Sequence, residues 1–150
     1  MNIVIAGRMG GPAALLDDIA RALGALGHQV CRYLDADALL SDTACLRETD
    51  VLVATPRFRC SRKLMASAPR LRGVVSPVTG IEGIDVSAAT DLGVIVANGQ
   101  TQENSESLAE ATILLILAAL YDLHGSEAIL RRNVARPAQM TARIRRPSPG

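Results

Sequence analysis

The residues best suited to chemistry lie in one stretch, 71–121, and what they could hold is an anion. A strand predicted over 71–75 ends in the turn-forming segment 76–80, where Pro77 fixes φ and Gly80 allows close approach to the backbone. The N–H groups of such a turn can bind a carboxylate or phosphate. An ordinary strand-to-helix turn has the same composition, and the residues alone favour that simpler interpretation.

Polar residues follow two other predicted strands and could add to such a site. The strand over 93–97 ends in the polar loop 98–104, which leads into an apolar helix whose N-terminus carries partial positive charge. Arg57 and Arg59 come just after the strand over 51–54 and could contribute a cation, although exposed arginines are common. We therefore expect the ends of the strands over 71–75 and 93–97 and the start of the helix to converge on one edge.

Strands alternate with helices along the first hundred residues, and this order predicts the frame that positions the loops. Apolar runs predict five strands, over 2–6, 29–34, 51–54, 71–75 and 93–97. Between them lie helical patterns over 12–26, 62–67 and 86–91, and a short helix or loop over 35–46. The alternation predicts an α/β domain with a parallel sheet and helices on both faces, because parallel strands need long crossover connections.

The composition is typical of one folded domain. The chain has 150 residues, 49% of them apolar and 21% charged, which is enough to bury a core. The longest apolar run, 111–121, is too short to cross a membrane, and the start lacks a basic signal segment, so we expect a cytoplasmic location. Aromatic residues make up only 2%, too few for a stacking platform, so nucleic acid is not an expected partner.

Charge divides the chain into a body and a tail. All 15 acidic residues lie at or before Glu127, while six arginines follow it. Residues 1–130 therefore carry a net charge of −5 and residues 131–150 carry +6. We expect the tail to be a flexible, solvated connector; the alternative is a basic arm that binds phosphate groups or an acidic partner.

Two further patterns lack the spacing that their chemistry needs. The three cysteines and two histidines share no metal-ligand spacing, and we expect the cysteines to be reduced thiols. Segment 7–11 contains three glycines in the order G-x-x-G-G, whereas a dinucleotide-binding loop has G-x-G-x-x-G. We expect neither a metal nor a nucleotide at these positions.

The 71–121 stretch follows one known pattern through four segments, 71–80, 83–90, 93–98 and 104–110. In this order they resemble the N-terminal substrate-binding (catalytic) domain of the NAD-dependent D-isomer-specific 2-hydroxyacid dehydrogenases. With the apolar helix that continues to Leu123, the resemblance covers about a third of the chain. It implies a flavodoxin-like domain over 1–104, a long helix over 105–130 between domains and in a dimer interface, and the basic connector over 131–150.

The resemblance assigns roles to named residues. The backbone N–H groups of Val78, Thr79 and Gly80 would hold the substrate carboxylate, and Asn104 would be a polar contact at the start of the long helix. Asn104 would serve equally well as a plain N-cap of that helix. Glu110 matches an acid of the family's helix, and we expect it to be structural, satisfying the backbone or orienting a neighbour.

The sequence departs from the family pattern at two points. Pro77 and Val78 stand where the family commonly has a small residue and a glycine, which removes one N–H group and narrows the loop. The loop 99–103 lacks the family's usual proline and is about one residue longer, so Glu103 adds a negative charge near the anion site. The identity of the acid is therefore left open, as is the choice between NAD and NADP.

Hydride transfer needs a cofactor beside the substrate, a proton donor and a cation that polarises the carbonyl. In the family these parts lie on a nucleotide-binding domain, as a G-x-G-x-x-G loop, an Arg, and a His oriented by an acid; none can be placed in this sequence. We expect the substrate-binding half of such an enzyme, truncated and inactive alone, with no catalytic residue or cofactor of its own. The alternatives are a stand-alone module that binds a small acid or a protein partner without catalysis, and a half-enzyme that works with a separate nucleotide-binding chain.

The expected partners follow from the same resemblance. One is a small 2-hydroxy or 2-oxo acid at the turn. The other is a second copy of the chain, bound through the helix over 105–123. Apart from Thr112 the segment 111–120 is apolar, and in so short a chain it needs a surface to cover it, so we expect a homodimer.

Overall fold

A computed structural model describes residues 1–7 and 14–135. Its elements up to the last strand are β1 (Asn2–Ala6), α1 (Ala14–Ala25), β2 (Gln29–Tyr33), α2 (Ala36–Ser41), α3 (Thr43–Glu48), β3 (Val51–Ala54), α4 (Arg62–Ala66), β4 (Gly73–Ser76), α5 (Val86–Asp91) and β5 (Ile95–Asn98). Two helices follow, α6 (Gln102–Leu120) and α7 (Leu123–Arg132). The chain divides into two compact units, a first unit from Met1 to Gln100 and a second unit from Thr101 onward.

The first unit is built on one sheet of five parallel strands in the order β2-β1-β3-β4-β5. In the register of neighbouring strands, Val53 lies beside Val75 and Ser76 lies beside Asn98. Because all strands run the same way, the loops that follow β3, β4 and β5 leave from the same edge. The predicted five-stranded parallel sheet is confirmed, and this edge carries the loops with the candidate site residues.

The two faces of the sheet are covered by different helices. One face carries the larger cluster of buried side chains, which includes Val4 and Leu52 together with residues of α2 to α5. The other face carries a smaller cluster, with Ile3, Ile5 and the α1 residue Leu16. Alternate residues of a strand point to opposite faces, so β1 contributes to both clusters. The predicted placement of helices on both faces is therefore confirmed.

Two strands begin later than the sequence predicted, because their first predicted residues belong to the end of the preceding helical segment. The predicted strand over 71–75 begins at Gly73, since the Leu71 amide is bonded to the Ala68 carbonyl at 2.9 Å. The predicted strand over 93–97 likewise begins at Ile95, because Gly93 ends the α5 segment with φ of 69°. A residue with positive φ cannot continue a strand.

The region 35–46, predicted as a short helix or loop, forms two helices. Asp42 ends α2, and its side chain then accepts a hydrogen bond from the Cys45 amide at 2.9 Å as the N-cap of α3. An aspartate at this position satisfies an amide that the helix itself leaves without an acceptor. One residue therefore separates the two helices.

The long helix begins earlier than the sequence predicted. Thr101 is the N-cap of α6, and its hydroxyl accepts a hydrogen bond from the Asn104 amide at 3.2 Å. The interpretation of Asn104 as the N-cap is therefore wrong, because threonine already occupies that role three residues before it. In α6 itself no residue is buried.

The chain turns after α6 and continues as a separate helix. Asp122 has φ of 47°, and its side chain caps α7. Within the described ranges no single helix is long and apolar enough to cross a membrane; α6 and α7, bent by 58°, reach that length and composition only as a pair. The tail from residue 136 lies outside the described residues, and so do Gly10 and Gly11 of the glycine segment.

Candidate functional site

The turn between β4 and α5 is held in shape by the last residue of β4. Ser76 is fully buried, and its hydroxyl donates a hydrogen bond to the Gly80 carbonyl at 2.6 Å. The same hydroxyl accepts a longer bond, of 3.4 Å, from the Val78 amide. A hydroxyl suits this place because it can donate and accept at once. The shape of the turn is thus set by a side chain inside the domain.

The neighbouring strand β5 supports the same turn. Asn98 donates from Nδ2 to the Thr79 carbonyl at 2.8 Å, and the Gly99 amide donates to the Val78 carbonyl at 3.1 Å. A β-carbon at position 99 would lie 2.8 Å from the Pro77 carbonyl oxygen, so only glycine allows this approach without a shift. The end of β5 therefore fixes two consecutive carbonyl groups of the turn.

These contacts determine which way the peptide N–H groups point. In a trans peptide the N–H is directed opposite to the carbonyl of the preceding residue. Since the carbonyls of Val78 and Thr79 face β5, the N–H groups of Thr79 and Gly80 are directed away from it. Among the described residues, the Gly80 amide has no hydrogen-bond acceptor. The structure thus brings the three predicted residues into one turn, with two N–H groups on the same side.

An acidic side chain lies against this turn. The Glu82 carboxylate is so close that a β-carbon on Gly80 would lie 2.5 Å from its Oε2 atom. Glu82 is exposed, so water and salt screen its charge, but that charge still opposes an anion at the turn. A bound carboxylate must therefore approach from the side away from Glu82 or move this side chain.

The loop after β3 is joined to the segment that follows the turn. The Cys60 amide donates to the Gly83 carbonyl at 2.8 Å, and the Asp85 amide donates to the Cys60 carbonyl at 3.0 Å. Arg57 and Arg59, the candidate cations, lie in this loop and are exposed. Neither forms a hydrogen bond or ion pair within the part of the chain that the structure describes.

The remaining predicted residues lie in the second unit. Asn104 is in the first turn of α6, and Glu110 lies two turns further along; both are exposed. The Glu110 carboxylate forms no hydrogen bond or ion pair with any described residue. The roles of Asn104 as a substrate contact and of Glu110 as a structural acid stay predictions.

Gly7, the last described residue after β1, packs closely against the loop that follows β3. Gly7 has φ of 99°, and a β-carbon there would collide with the Thr55 hydroxyl and the Phe58 side chain. A glycine is therefore needed at this position for close packing inside the domain, and residues 8–13 that follow it lie outside the described ones. As for metals, residues 1–7 and 14–135 contain no group of three His, Cys, Asp or Glu side chains that could hold an ion.

Two side chains that hold the turn, those of Ser76 and Asn98, had no role predicted from the sequence. Ser76 and Asn98 each end a strand, and each is polar where the preceding strand residue is apolar. A polar residue at the end of a strand, next to a loop that contains glycine, is the signal that could have identified them. That Ser76 and Asn98 lie beside each other depends on the register of β4 and β5, which local sequence patterns do not predict.

Comparison with known proteins gives one family. The model of the D-isomer specific 2-hydroxyacid dehydrogenase catalytic domain matches residues 15–144. The chain is 33% identical over 126 residues to D-3-phosphoglycerate dehydrogenase of Mycobacterium leprae (strain TN), an alignment that covers 82% of this chain and 24% of that protein. It is 42% identical over 73 residues to glyoxylate reductase of Aeropyrum pernix, covering 49% of this chain and 22% of that protein.

A solved structure shows the same fold. D-lactate dehydrogenase of Aquifex aeolicus, complexed with NAD and lactic acid, superposes with a TM-score of 0.71 at 19% identity, over 93% of this chain and 40% of that chain. The alignment with the mycobacterial D-3-phosphoglycerate dehydrogenase covers only about a quarter of the length of that protein. Because the catalytic-domain model of the D-isomer specific 2-hydroxyacid dehydrogenases matches residues 15–144, the chain belongs to that family.

Proposed function

We propose that the turn over 78–80 binds the carboxylate of a small 2-hydroxy or 2-oxo acid, as the substrate-binding part of a D-2-hydroxyacid dehydrogenase. The observation that carries this proposal is the direction of the peptide groups in the turn. With two carbonyls held by Asn98 and Gly99, the N–H groups of Thr79 and Gly80 lie side by side. Adjacent N–H groups can hold a carboxylate without a buried cation, and their fixed geometry lowers the cost of ordering on binding.

The proposed part of this chain in the reaction is to orient the acid. A carboxylate fixed at the turn holds the neighbouring C2 atom in one place, which is how positioning lowers the barrier to transfer. NAD(P) would supply the hydride chemistry when bound, and the Aquifex structure with NAD supports NAD for the family. Because no G-x-G-x-x-G loop can be placed in the sequence, we assign that site, the polarising cation and the proton donor to a nucleotide-binding domain in the same or a separate chain.

Three further polar or charged residues, Arg57, Arg59 and Asn104, have proposed supporting roles. Arg57 and Arg59 supply positive charge that offsets Glu82, since backbone hydrogen bonds join their loop to the segment after Gly80. The further role of Asn104 as a polar contact of the acid rests on the family resemblance alone. The three free cysteines agree with a cytoplasmic location, where thiols stay reduced.

Binding is tested by following backbone amide resonances while the chain is titrated with glyoxylate, pyruvate or phosphoglycerate. We expect saturable shifts at Thr79 and Gly80. Methyl pyruvate is the matched control, because it keeps the carbonyl group but lacks the carboxylate. Absence of shifts at the turn, or equal shifts with the ester, would contradict the proposed carboxylate site.

Catalysis is tested separately by mixing the chain with NADH and the same acids. We expect no oxidation of NADH by the chain alone, since the cofactor site is assigned to another domain. Turnover by the chain alone would contradict that division of roles while leaving the carboxylate site in place.

A second function, self-association, is proposed for the second unit. The most exposed of the large apolar side chains in α6 are Leu115 at 69% and Leu108 at 68%, in a helix with no buried residue. Monomeric proteins rarely leave so large an apolar surface in water. We propose that α6 binds a second copy of the chain.

A further inference from the structure

Two cysteines from different elements line the same cavity. Cys31 lies in the edge strand β2, and Cys45 lies in α3. Both contribute to the wall of an open cavity of about 350 Å³, together with Glu48 and Thr49. They are 14 residues apart in the sequence and lack any motif spacing, so only the fold brings them together.

Tyr33 shows how α3 is placed over β2. Its hydroxyl donates to the Asp42 carboxylate at 2.7 Å, and that carboxylate also accepts a hydrogen bond from the Cys45 amide at 2.9 Å. Residues 31 and 33 lie on the same face of the strand, because side chains alternate along it. The start of α3 is therefore held over the face of β2 that carries Cys31.

The side chains themselves interact. The pKa of the Cys31 thiol is raised, first by partial burial and then by the neighbouring Cys45 thiol. The pKa of Tyr33 is raised by hydrogen bonding to the Cys45 thiol and to Asp42. Both effects agree with the shared cavity wall and with the Asp42 hydrogen bonds in placing the Cys45 side chain near Cys31 and Tyr33.

Exposure separates this pair from the third cysteine. Cys31 is exposed and Cys45 is half-buried, so a small oxidant in water reaches Cys31 first. Cys60 is fully buried, and burial raises the pKa of its thiol to about 12. Because an oxidant in water does not reach a fully buried thiol, Cys60 serves as an internal unreactive control.

We propose that Cys31 and Cys45 form a reversible intramolecular disulfide when the chain meets a peroxide. The Cys31 thiolate attacks one peroxide oxygen, the O–O bond breaks, and a sulfenic acid and one water molecule form. The Cys45 thiol then attacks the sulfenic sulfur, which forms the S–S bond and releases a second water molecule. The two thiols lose two electrons and two protons in total, and a dithiol reductant restores them. The bond ties the edge strand β2 to α3.

The test uses the full chain, reduced and then treated with hydrogen peroxide under native conditions. After catalase and N-ethylmaleimide, digestion should yield one linked peptide pair that contains Cys31 and Cys45, lighter by two hydrogen atoms and lost on reduction. The Cys60→Ser variant should give the same pair. The Cys31→Ser and Cys45→Ser variants should give none.

A parallel reaction in urea distinguishes a preformed pair from two random thiols. We expect faster linkage in the folded chain, because the fold brings both cysteines to the wall of one cavity. Linkage no faster than in urea, or oxidation of Cys31 to sulfinic acid without a linked pair, would overturn the proposal. No acid ligand enters the assay, so its outcome is independent of the carboxylate site.

Discussion

Asn98 donates a hydrogen bond from Nδ2 to the carbonyl of Thr79 at 2.8 Å, across 19 residues of chain. The end of β5 thereby fixes the peptide group between Thr79 and Gly80. Because that peptide is planar and trans, its N–H is directed away from β5. One exposed amide side chain thus controls the direction of a proposed ligand-binding group.

Replacing Asn98 with alanine should weaken acid binding more than it weakens the fold. The loss of a positioned N–H predicts about a tenfold higher Kd, equivalent to about 1.4 kcal/mol. Because Asn98 is exposed, the free energy of unfolding should fall by only about 1 kcal/mol. The amide titration gives the Kd, and urea unfolding gives the stability.

Ser41→Ala is the matched control for this variant. It removes a side-chain hydrogen bond of 2.8 Å to the Asp37 carbonyl in α2, away from the turn. Its stability loss should be similar and its Kd unchanged. An Asn98→Ala variant that binds the acid as the native chain does would contradict the role given to this contact.

Gly99→Ala should disturb the turn through the backbone. The added β-carbon would lie 2.8 Å from the Pro77 carbonyl oxygen, which cannot move without shifting the turn. We expect a loss of about 1–3 kcal/mol in the free energy of unfolding, together with weaker acid binding.

Gly24→Ala provides the comparison, since it makes the same substitution inside α1 with no atom within 4 Å of the new β-carbon. Alanine there should stabilise the chain by about 0.5–1 kcal/mol. Denaturant unfolding measures whether the free energy of unfolding falls in Gly99→Ala and rises in Gly24→Ala. Equal effects from the two substitutions would show that the close approach at Gly99 does not constrain the turn.

The sheet and the presence of the turn were predictable because both rest on local patterns. Apolar runs that alternate with amphipathic helical patterns predict a parallel sheet, even though they do not say which strands are neighbours. The turn at 76–80 follows from the residue types of Pro77 and Gly80 alone. Boundaries were less accurate, because Gly93 and Leu71 belong to the ends of helical segments rather than to strands.

The support of the turn was not predictable from local patterns. The Ser76 hydroxyl and the Asn98 amide act on the turn from two strands, and their pairing depends on the register of β4 and β5. The sequence prediction offered only Asn104 as an N-cap of the long helix, whereas Thr101, a residue type that also favours this position, caps α6. The N-cap is set by where the helix begins, and no pattern of residues in the loop before α6 predicts that it begins at Gln102.

Acid should destabilise the chain partly through Asp50. Its pKa is lowered, first by the hydrogen bond from the Asn2 amide at 2.8 Å and also by Arg70, whose guanidinium lies 3.0 Å away. A pKa below the unfolded value of about 3.9 stabilises the fold at higher pH, and this contribution is lost as the pH falls through the folded pKa. The stability difference between the native chain and Asp50→Asn should therefore be constant near neutrality and shrink below about pH 4.

Arg70→Met separates the two causes of that shift. It removes the cation but keeps the Asn2 amide, so the acid-dependent contribution of Asp50 should decrease without vanishing. Urea unfolding at a series of pH values measures both variants. A stability difference for Asp50→Asn that grows as the pH falls would contradict the assigned direction of the shift.

The apolar surface of α6 should drive association of the chain. Residues 113–117 are five consecutive large aliphatic side chains, all exposed, and five residues span more than one helical turn. Apolar side chains therefore lie on every side of the helix, and they are exposed to water unless a second chain covers them. We expect sedimentation equilibrium to show concentration-dependent dimers at micromolar concentrations.

Leu115→Lys should weaken that association, because it places a charge in the centre of the apolar helix, where Leu115 is 69% exposed. Leu26→Lys is the control, since Leu26 is also 73% exposed but lies just after α1 in the first unit. If exposure alone caused the association, both variants would weaken it equally. A reduction confined to Leu115→Lys would assign it to α6, and a native chain that stays monomeric would contradict the proposed interface.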